Sequence, residues 1–444
     1  MPVIKIGLIA MSGLRAWNPE LTRLGWTLPG FMERSRVIAS LPSLSLLTLA
    51  GMTPDRFEVS YSEVKNLGDL SDLPSCDVAA ISTFTAQAKD AYELARRYRE
   101  IGVWTVLGGL HASAVPQEAL AHFDTVCVGQ GELVWPEFLR DLEAGCPKWL
   151  YRATGDYDLG DSPMPRFDLL NIEDYNRLTV QTQRGCPWRC EFCASSITLT
   201  SRYEIKPVER VLAEVRAIKC LWKRPFIEFA DDNTFVNKRH SKELMRALAT
   251  EEIRWFTETD ISVADDPELL QLMAEAGCAQ VLIGLESPTS AGLDGLELNQ
   301  NWKRKRLDTY IDAIQRVQSH GITVNGCFVL GLDGHDTGIF DAVWDFVERS
   351  GLYEVQISVA TAFPGTPYYE RLLQQGRLIE PTAWERCTLF DVNVRPDGMS
   401  VHELEQGLVS LGSRLYSDQA KQERVKRYRQ QLRASLRSKK EKTA

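Results

Sequence analysis

Short apolar runs and longer amphipathic stretches alternate along most of this chain, and the two periods predict its elements in turn. Residues 3–10 form a continuous apolar run with one lysine, the pattern of a strand buried on both faces. Comparable runs recur at 57–61, 77–82, 104–107 and 125–128, with helical spacing between them at 44–51, 88–101, 116–122 and 132–144. Strands and helices in alternation predict a doubly wound, flavodoxin-like α/β domain over residues 1–150. Residues 151–176 hold no period, are dense in Asp, Gly and Pro, and read as a linker. The alternation then resumes, with strands expected at 177–181, 226–229, 254–259, 280–284, 324–330 and 354–359. Six such units over residues 177–380 predict an open, partial version of the eight-stranded barrel, with its site at the C-terminal edge of the strands. Residues 381–444 read as a small helical appendage, helical from 404 to 416, that ends in a basic tail.

Composition changes this picture little. No run approaches the roughly 18 to 20 apolar residues of a membrane span, and the first residues read as a strand rather than a signal peptide, so the expected compartment is the cytoplasm. A formal net charge of −9 argues against general nucleic-acid binding. Positive charge gathers between Lys421 and Lys442, as in a solvated helix end or a frayed tail. Ten cysteines in 444 residues make no disulfide framework. Cys76, Cys127, Cys220, Cys278 and Cys327 lie in apolar stretches and read as small buried hydrophobes.

The chemistry concentrates in one loop, Gly185-Cys186-Pro187-Trp188-Arg189-Cys190-Glu191-Phe192-Cys193. Three thiolates this close can share a cluster, whereas a structural zinc site needs a fourth ligand, and none follows at the expected spacing. The ends of the next five strands carry polar residues: Asp231-Asp232-Asn233, Thr259-Asp260, Glu286-Ser287, Gly331-Leu332-Asp333 and Thr361 to Pro367. Singly, each suits a helix cap or a turn. Together they mark a site.

With an aromatic residue just before its last cysteine, the loop resembles the cluster loop of the radical S-adenosylmethionine (SAM) enzymes. The resemblance implies a 4Fe-4S cluster on Cys186, Cys190 and Cys193, with one iron left open to the amino and carboxylate groups of SAM. It also implies SAM contacts from Asp231 or Asp232 to the ammonium, from Glu286 and Ser287 to the ribose, and from Asn325 and Phe363. Ahead of it, Leu41-Pro42-Ser43-Leu44, Gly108-Gly109-Leu110-His111 and Gly129-Gln130-Gly131-Glu132 resemble the cobalamin-binding domain fused to one large class of these enzymes. That likeness implies cobalamin contacts from Ser82, Thr83, Gly108, Gly109, His111, Gly129 and Glu132. The Asp-x-His-x-x-Gly motif that supplies a histidine to cobalt is absent, because Gly109 stands at the aspartate position. Either cobalamin sits without a protein imidazole, or the fold is retained without it. The implied reaction is methylation of an unactivated centre in a small-molecule substrate, with electrons from an external donor such as flavodoxin or ferredoxin. The alternative keeps the cluster but leads to cyclisation, rearrangement or 3-amino-3-carboxypropyl transfer without cobalamin.

Overall fold

A computed structural model describes residues 3–13, 16–23, 41–198, 200, 202–298 and 300–443. Its first sheet contains β1 (Lys5–Met11), β2 (Glu58–Val64), β3 (Val78–Ser82), β4 (Trp104–Gly108), β5 (Thr125–Val128) and β6 (Leu150–Arg152). All pairs are parallel, in the order β2-β1-β3-β4-β5-β6. The chain runs outward from β1 to β2 and then returns to β3, so the order reverses between β1 and β3. Such reversals open a crevice at the carboxyl ends of the strands. The expected strands are all present, and β6 is an addition from the border of the linker. Three residues are too short to show a period, and β6 is fixed by pairing: Val126 N–H donates to Trp149 O and Ala153 N–H to Val128 O, both at 2.9 Å.

The second sheet holds six parallel strands. It begins with β7 (Leu178–Val180), and a small antiparallel pair follows, β8 (Gln183–Arg184) with β9 (Glu204–Ile205). It continues through β10 (Phe226–Phe229), β11 (Arg254–Thr259), β12 (Cys278–Glu286), β13 (Thr323–Leu330) and β14 (Glu354–Val359). The order β14-β13-β12-β11-β10-β7 is sequential, as the open-barrel reading expects. Register separates two faces, since side chains alternate along a strand. Leu178, Val180, Ile227, Phe229, Trp255, Val281, Ile283 and Val324 point outward into one apolar core with the surrounding helices. The alternate positions, among them Thr179, Glu228, Glu258, Gln280, Asn325 and Cys327, line the inside and are mostly polar. A register shift between Gly284 and Glu286 ends the regular part of β12, and Glu286 lies at φ +64°.

The basic C-terminal run is a helix, Asp418–Thr443, and it is docked where the sequence suggested a frayed tail. Arg424 is buried and donates to Leu415 O at 2.8 Å, and Tyr428 meets Tyr353 edge to face with ring centroids 5.1 Å apart. Side chains beyond residue 437 lie outside the described residues. Cys76, Cys127 and Cys278 are buried as expected, but Cys220 is exposed on its helix and Cys327 is half-buried toward the barrel interior. Among the described residues no helix is long and apolar enough to cross a membrane.

Candidate active site

The cysteine loop leaves β8 through Gly185, at φ +88°. A Cβ there would stand 2.7 Å from Arg202 O and 3.1 Å from Thr200 Oγ1, so both the turn and the close approach require glycine. Two adjacent aspartates then hold the loop to the barrel. The Asp231 carboxylate accepts from Thr182 N–H at 2.7 Å, Gln183 N–H at 3.0 Å and Thr234 Oγ1 at 3.0 Å. Burial pushes its carboxyl up to about 6, against these bonds. Asp232 accepts from Gly185 N–H at 2.7 Å and from the Ser195 hydroxyl, and it stays half-buried. Of the two aspartates expected to meet a ligand ammonium, Asp231 is engaged by Thr182, Gln183 and Thr234, and Asp232 is the one that lines a cavity. On the other side, Glu191 N–H donates to Leu296 O at 3.0 Å and Arg371 Nε to Glu191 Oε2 at 3.1 Å. Trp188 stacks on Trp302 at 4.2 Å and donates through Nε1 to Asp260 at 2.7 Å.

All three thiols are half-buried. Burial pushes Cys186 up to about 11 and Cys190 well above the usual thiol range, and each is raised further by neighbouring Cys193. The three groups thus feel one another, and thiolates would form here only with a compensating positive charge, such as bound metal supplies. Asn233 Nδ2 lies 3.8 Å from Cys186 Sγ, an N–H···S contact of the kind that surrounds iron-sulfur ligands. Among the described residues no three His, Cys, Asp or Glu side chains converge on a single ion. A cubane takes each thiolate on a separate iron, so this donor set fits a cluster.

One functional group escaped the sequence reading. Lys303 is buried, forms an ion pair with Glu286, and donates to Gly284 O at 2.8 Å. Its charge also reaches Cys190, where it acts against burial. Glycine at 284 makes room for the pair, since a Cβ would stand 2.4 Å from Glu286 Oε1 and 3.2 Å from Lys303 Nζ. The signal was a lysine inside the run Trp302-Lys303-Arg304-Lys305-Arg306, which reads as a solvated basic turn. Ser287 does not face the interior as expected. Its hydroxyl lies 2.9 Å from His335 Nε2 and 3.0 Å from Thr289 Oγ1, fully buried. Asn325 does: it is buried on the inward face of β13, and both of its amide atoms lack a hydrogen-bond partner.

A cavity of about 480 Å³ joins the two sheets. The first domain contributes Ser12, Ser82, Thr83, Gly108, Gly109, Gly129, Glu132 and Trp135 from its strand ends and first turns. The barrel contributes Thr179, Gln181, Arg184, Ser195 and Asp232. Arg184 Nη2 donates to Glu132 Oε1 at 2.6 Å and to Gln181 Oε1 at 2.9 Å, so Glu132 acts as an inter-domain clamp beside the cysteine loop. Replacing Arg184 with alanine leaves Glu132 half-buried without this partner. It should lower the unfolding free energy by about 1–3 kcal/mol, read by urea denaturation.

His111 is turned away from this cavity, which corrects its assignment. Its Nε2 lies 2.7 Å from the Tyr92 hydroxyl, and its ring meets Trp384 edge to face at 5.6 Å. Trp384 in turn donates to Glu118 at 2.7 Å, tying the C-terminal segment to the first domain. Phe363 likewise packs against the apolar core of the first domain, with Tyr369. Among the described residues no histidine lines this cavity.

Three family models match the chain: the B12 binding domain at residues 37–139, the radical SAM superfamily at 180–347, and a domain of unknown function, DUF4070, at 366–444. The chain is 26% identical over 395 residues to bacteriochlorophyllide d C-12(1)-methyltransferase of Chlorobaculum tepidum, covering 87% of this chain and 85% of that one. It is 25% identical to hopanoid C-2 methylase of Rhodopseudomonas palustris, over 77% of this chain and 66% of the other. In fold it is similar to the radical SAM methyltransferase TsrM of Kitasatospora setae, solved with cobalamin and a 4Fe-4S cluster. The TM-score is 0.68 at 15% identity, over 94% of this chain and 90% of that one. It is also similar to the cobalamin-dependent radical SAM enzyme OxsB, with a TM-score of 0.65 over 93% of this chain and 66% of that one.

Proposed function

We propose that this chain, which belongs to the cobalamin-binding-domain-containing radical SAM enzymes, is a methyltransferase acting on an unactivated centre of a small molecule. The observation that carries the reading is the shared cavity. Strand ends of the first domain and the first turns of the barrel border the same space, so a cofactor on each side would face one substrate. When bound, the cluster and SAM supply one-electron cleavage of a carbon–sulfur bond, and cobalamin supplies a transferable methyl group.

The protein's share is binding, orientation and exclusion of water. Cys186, Cys190 and Cys193 would hold the cluster, with Asn233 donating toward Cys186 and the Lys303 charge beside Cys190. Asp232 anchors the loop through Gly185 and presents its remaining acceptor capacity to the cavity. Ser82, Thr83, Gly108, Gly109 and Gly129 would line the corrin side. The Trp188–Trp302 stack ties the loop to the segment that carries Lys303. Relatives named as methyltransferases and methylases support the group transferred.

Anaerobic reconstitution tests this. Protein loaded with iron, sulfide and cobalamin should retain cobalt and iron together through gel filtration and transfer label from methyl-labelled SAM to a small molecule in a metabolite extract. Iron without cobalt, with SAM still cleaved, would end the methyltransferase reading and leave the cobalamin-free alternative.

A further inference from the structure

We propose that Glu258 is the counter-ion for the sulfonium of SAM, a binding residue inside the barrel; this rests on the radical SAM reading above. Glu258 is the penultimate residue of β11, between β10 and β12. Trp255, Phe256, Thr257 and Thr259 around it are buried, whereas Glu258 itself is exposed. It pairs in register with Leu282, on the inward face of the sheet, while the opposite face is sealed by the helical core. Its exposure is therefore to the interior space of the barrel.

That interior is acidic, and Glu258 is the carboxylate in it without a partner. Glu228 on β10 pairs with Arg177, and Glu286 on β12 pairs with Lys303. Asp231 and Asp232, just past β10, accept the hydrogen bonds that fix the cysteine loop. Among the described residues the Glu258 carboxylate has neither a hydrogen bond nor an ion pair. Although open to the interior space, the carboxyl is enclosed by the barrel wall, and the loss of bulk water pushes it up to about 8, aided by the like charges of Glu228, Asp232, Glu286 and Asp231. A carboxyl walled in among carboxylates stays largely protonated at neutral pH, and a cation that arrives with a ligand would stabilise its anion.

Its place in the fold points to which cation. The two carboxylates that flank Glu258 both adjoin the cysteine loop: Asp232 bonds Gly185, the residue before Cys186, and the Glu286–Lys303 pair lies in the field of Cys190. Glu258 sits on the strand between them. SAM carries an ammonium, a carboxylate and a sulfonium. With its amino and carboxylate groups directed to the open iron, the sulfonium is the remaining permanent charge, and it has no counter-ion on the nucleotide itself. Glu258 is the unpartnered carboxyl that would answer it, losing its proton as the cation binds.

S-adenosylhomocysteine has the same skeleton with a neutral thioether, which makes the charge testable. Cluster-reconstituted wild type should bind SAM at least about tenfold tighter than S-adenosylhomocysteine in anaerobic calorimetry. Glu258→Gln should weaken SAM by about tenfold and leave S-adenosylhomocysteine within about twofold, with Glu258→Asp in between. Titration of wild type at pH 8 in buffers of different ionisation enthalpy should show more proton release on binding SAM than the Gln variant, whose remaining release comes from the SAM amino group as it gives up its proton to bind iron. The cluster absorption of each variant, matched to wild type, checks the fold. Equal weakening of both nucleotides, or SAM affinity unchanged in Glu258→Gln, overturns the assignment alone. A wild type that holds no iron and binds neither nucleotide overturns it together with the radical SAM reading.

Discussion

Cys190→Ala should abolish the charge-transfer absorption of the reconstituted protein and its reductive cleavage of SAM, to the limit of detection. The loop offers three thiols for three irons, and among the described residues no other group of three His, Cys, Asp or Glu side chains is gathered to hold a metal ion. The surroundings of Cys190 resist ionisation more than those of Cys186. Burial raises Cys190, with Glu286, Cys193 and Glu297 adding to the effect and only Lys303 opposing it. Its thiolate would exist only under the charge of bound metal, so cluster assembly and ionisation at this position stand or fall together. Iron analysis, the absorption spectrum and 5′-deoxyadenosine by chromatography read the outcome. Cys220→Ala, an exposed thiol on a helix, is the control and should behave as wild type. Wild-type turnover in Cys190→Ala would remove the loop from the chemistry.

Lys303→Met should destabilise the fold by about 3–5 kcal/mol, because it strands the Glu286 carboxylate in a buried site beside Gly284 O. The double variant Lys303→Met with Glu286→Gln should recover most of that loss. What costs free energy is the uncompensated charge, and two uncharged groups of similar volume fill the space nearly as well. Urea denaturation of the two variants and wild type at pH 7 decides this. Equal losses in the single and double variants would show that lysine packing, and not the ion pair, is what matters. Cluster binding in the single variant is a further readout, since the same ammonium is the positive charge beside Cys190.

Sequence and structure agree most closely where one residue type has one physical use. Parallel strands buried on both faces read as apolar runs, and these were legible, as was the cysteine loop. Legibility failed where neighbours of one type face different ways. Asp231 and Asp232 are adjacent, yet one is consumed by Thr182, Gln183 and Thr234 while the other reaches the cavity, and only the loop geometry separates them. His111 lies in the right turn but rotates into the contact with Tyr92 and Trp384. Ser287 sits beside Glu286 and is drawn to His335 instead. Glu258, between two threonines of a strand, gives no local sign that it faces other carboxylates, because those come from β10 and β12. The basic C-terminal run looked like a solvated tail because Arg424 and Tyr428, which dock it, are two positions among many charges.

The register shift that closes β12 leaves Glu286 in a left-handed backbone, a conformation that costs a side-chain-bearing residue about 1–2 kcal/mol. Glycine would relieve it, but glycine would also abandon Lys303. Mutational drift at this codon is thus held between two opposed penalties, one in the main chain and one in the ammonium it answers. A saturation library selected for thermal resistance alone should therefore return few winners here, and chiefly those that change position 303 in the same clone.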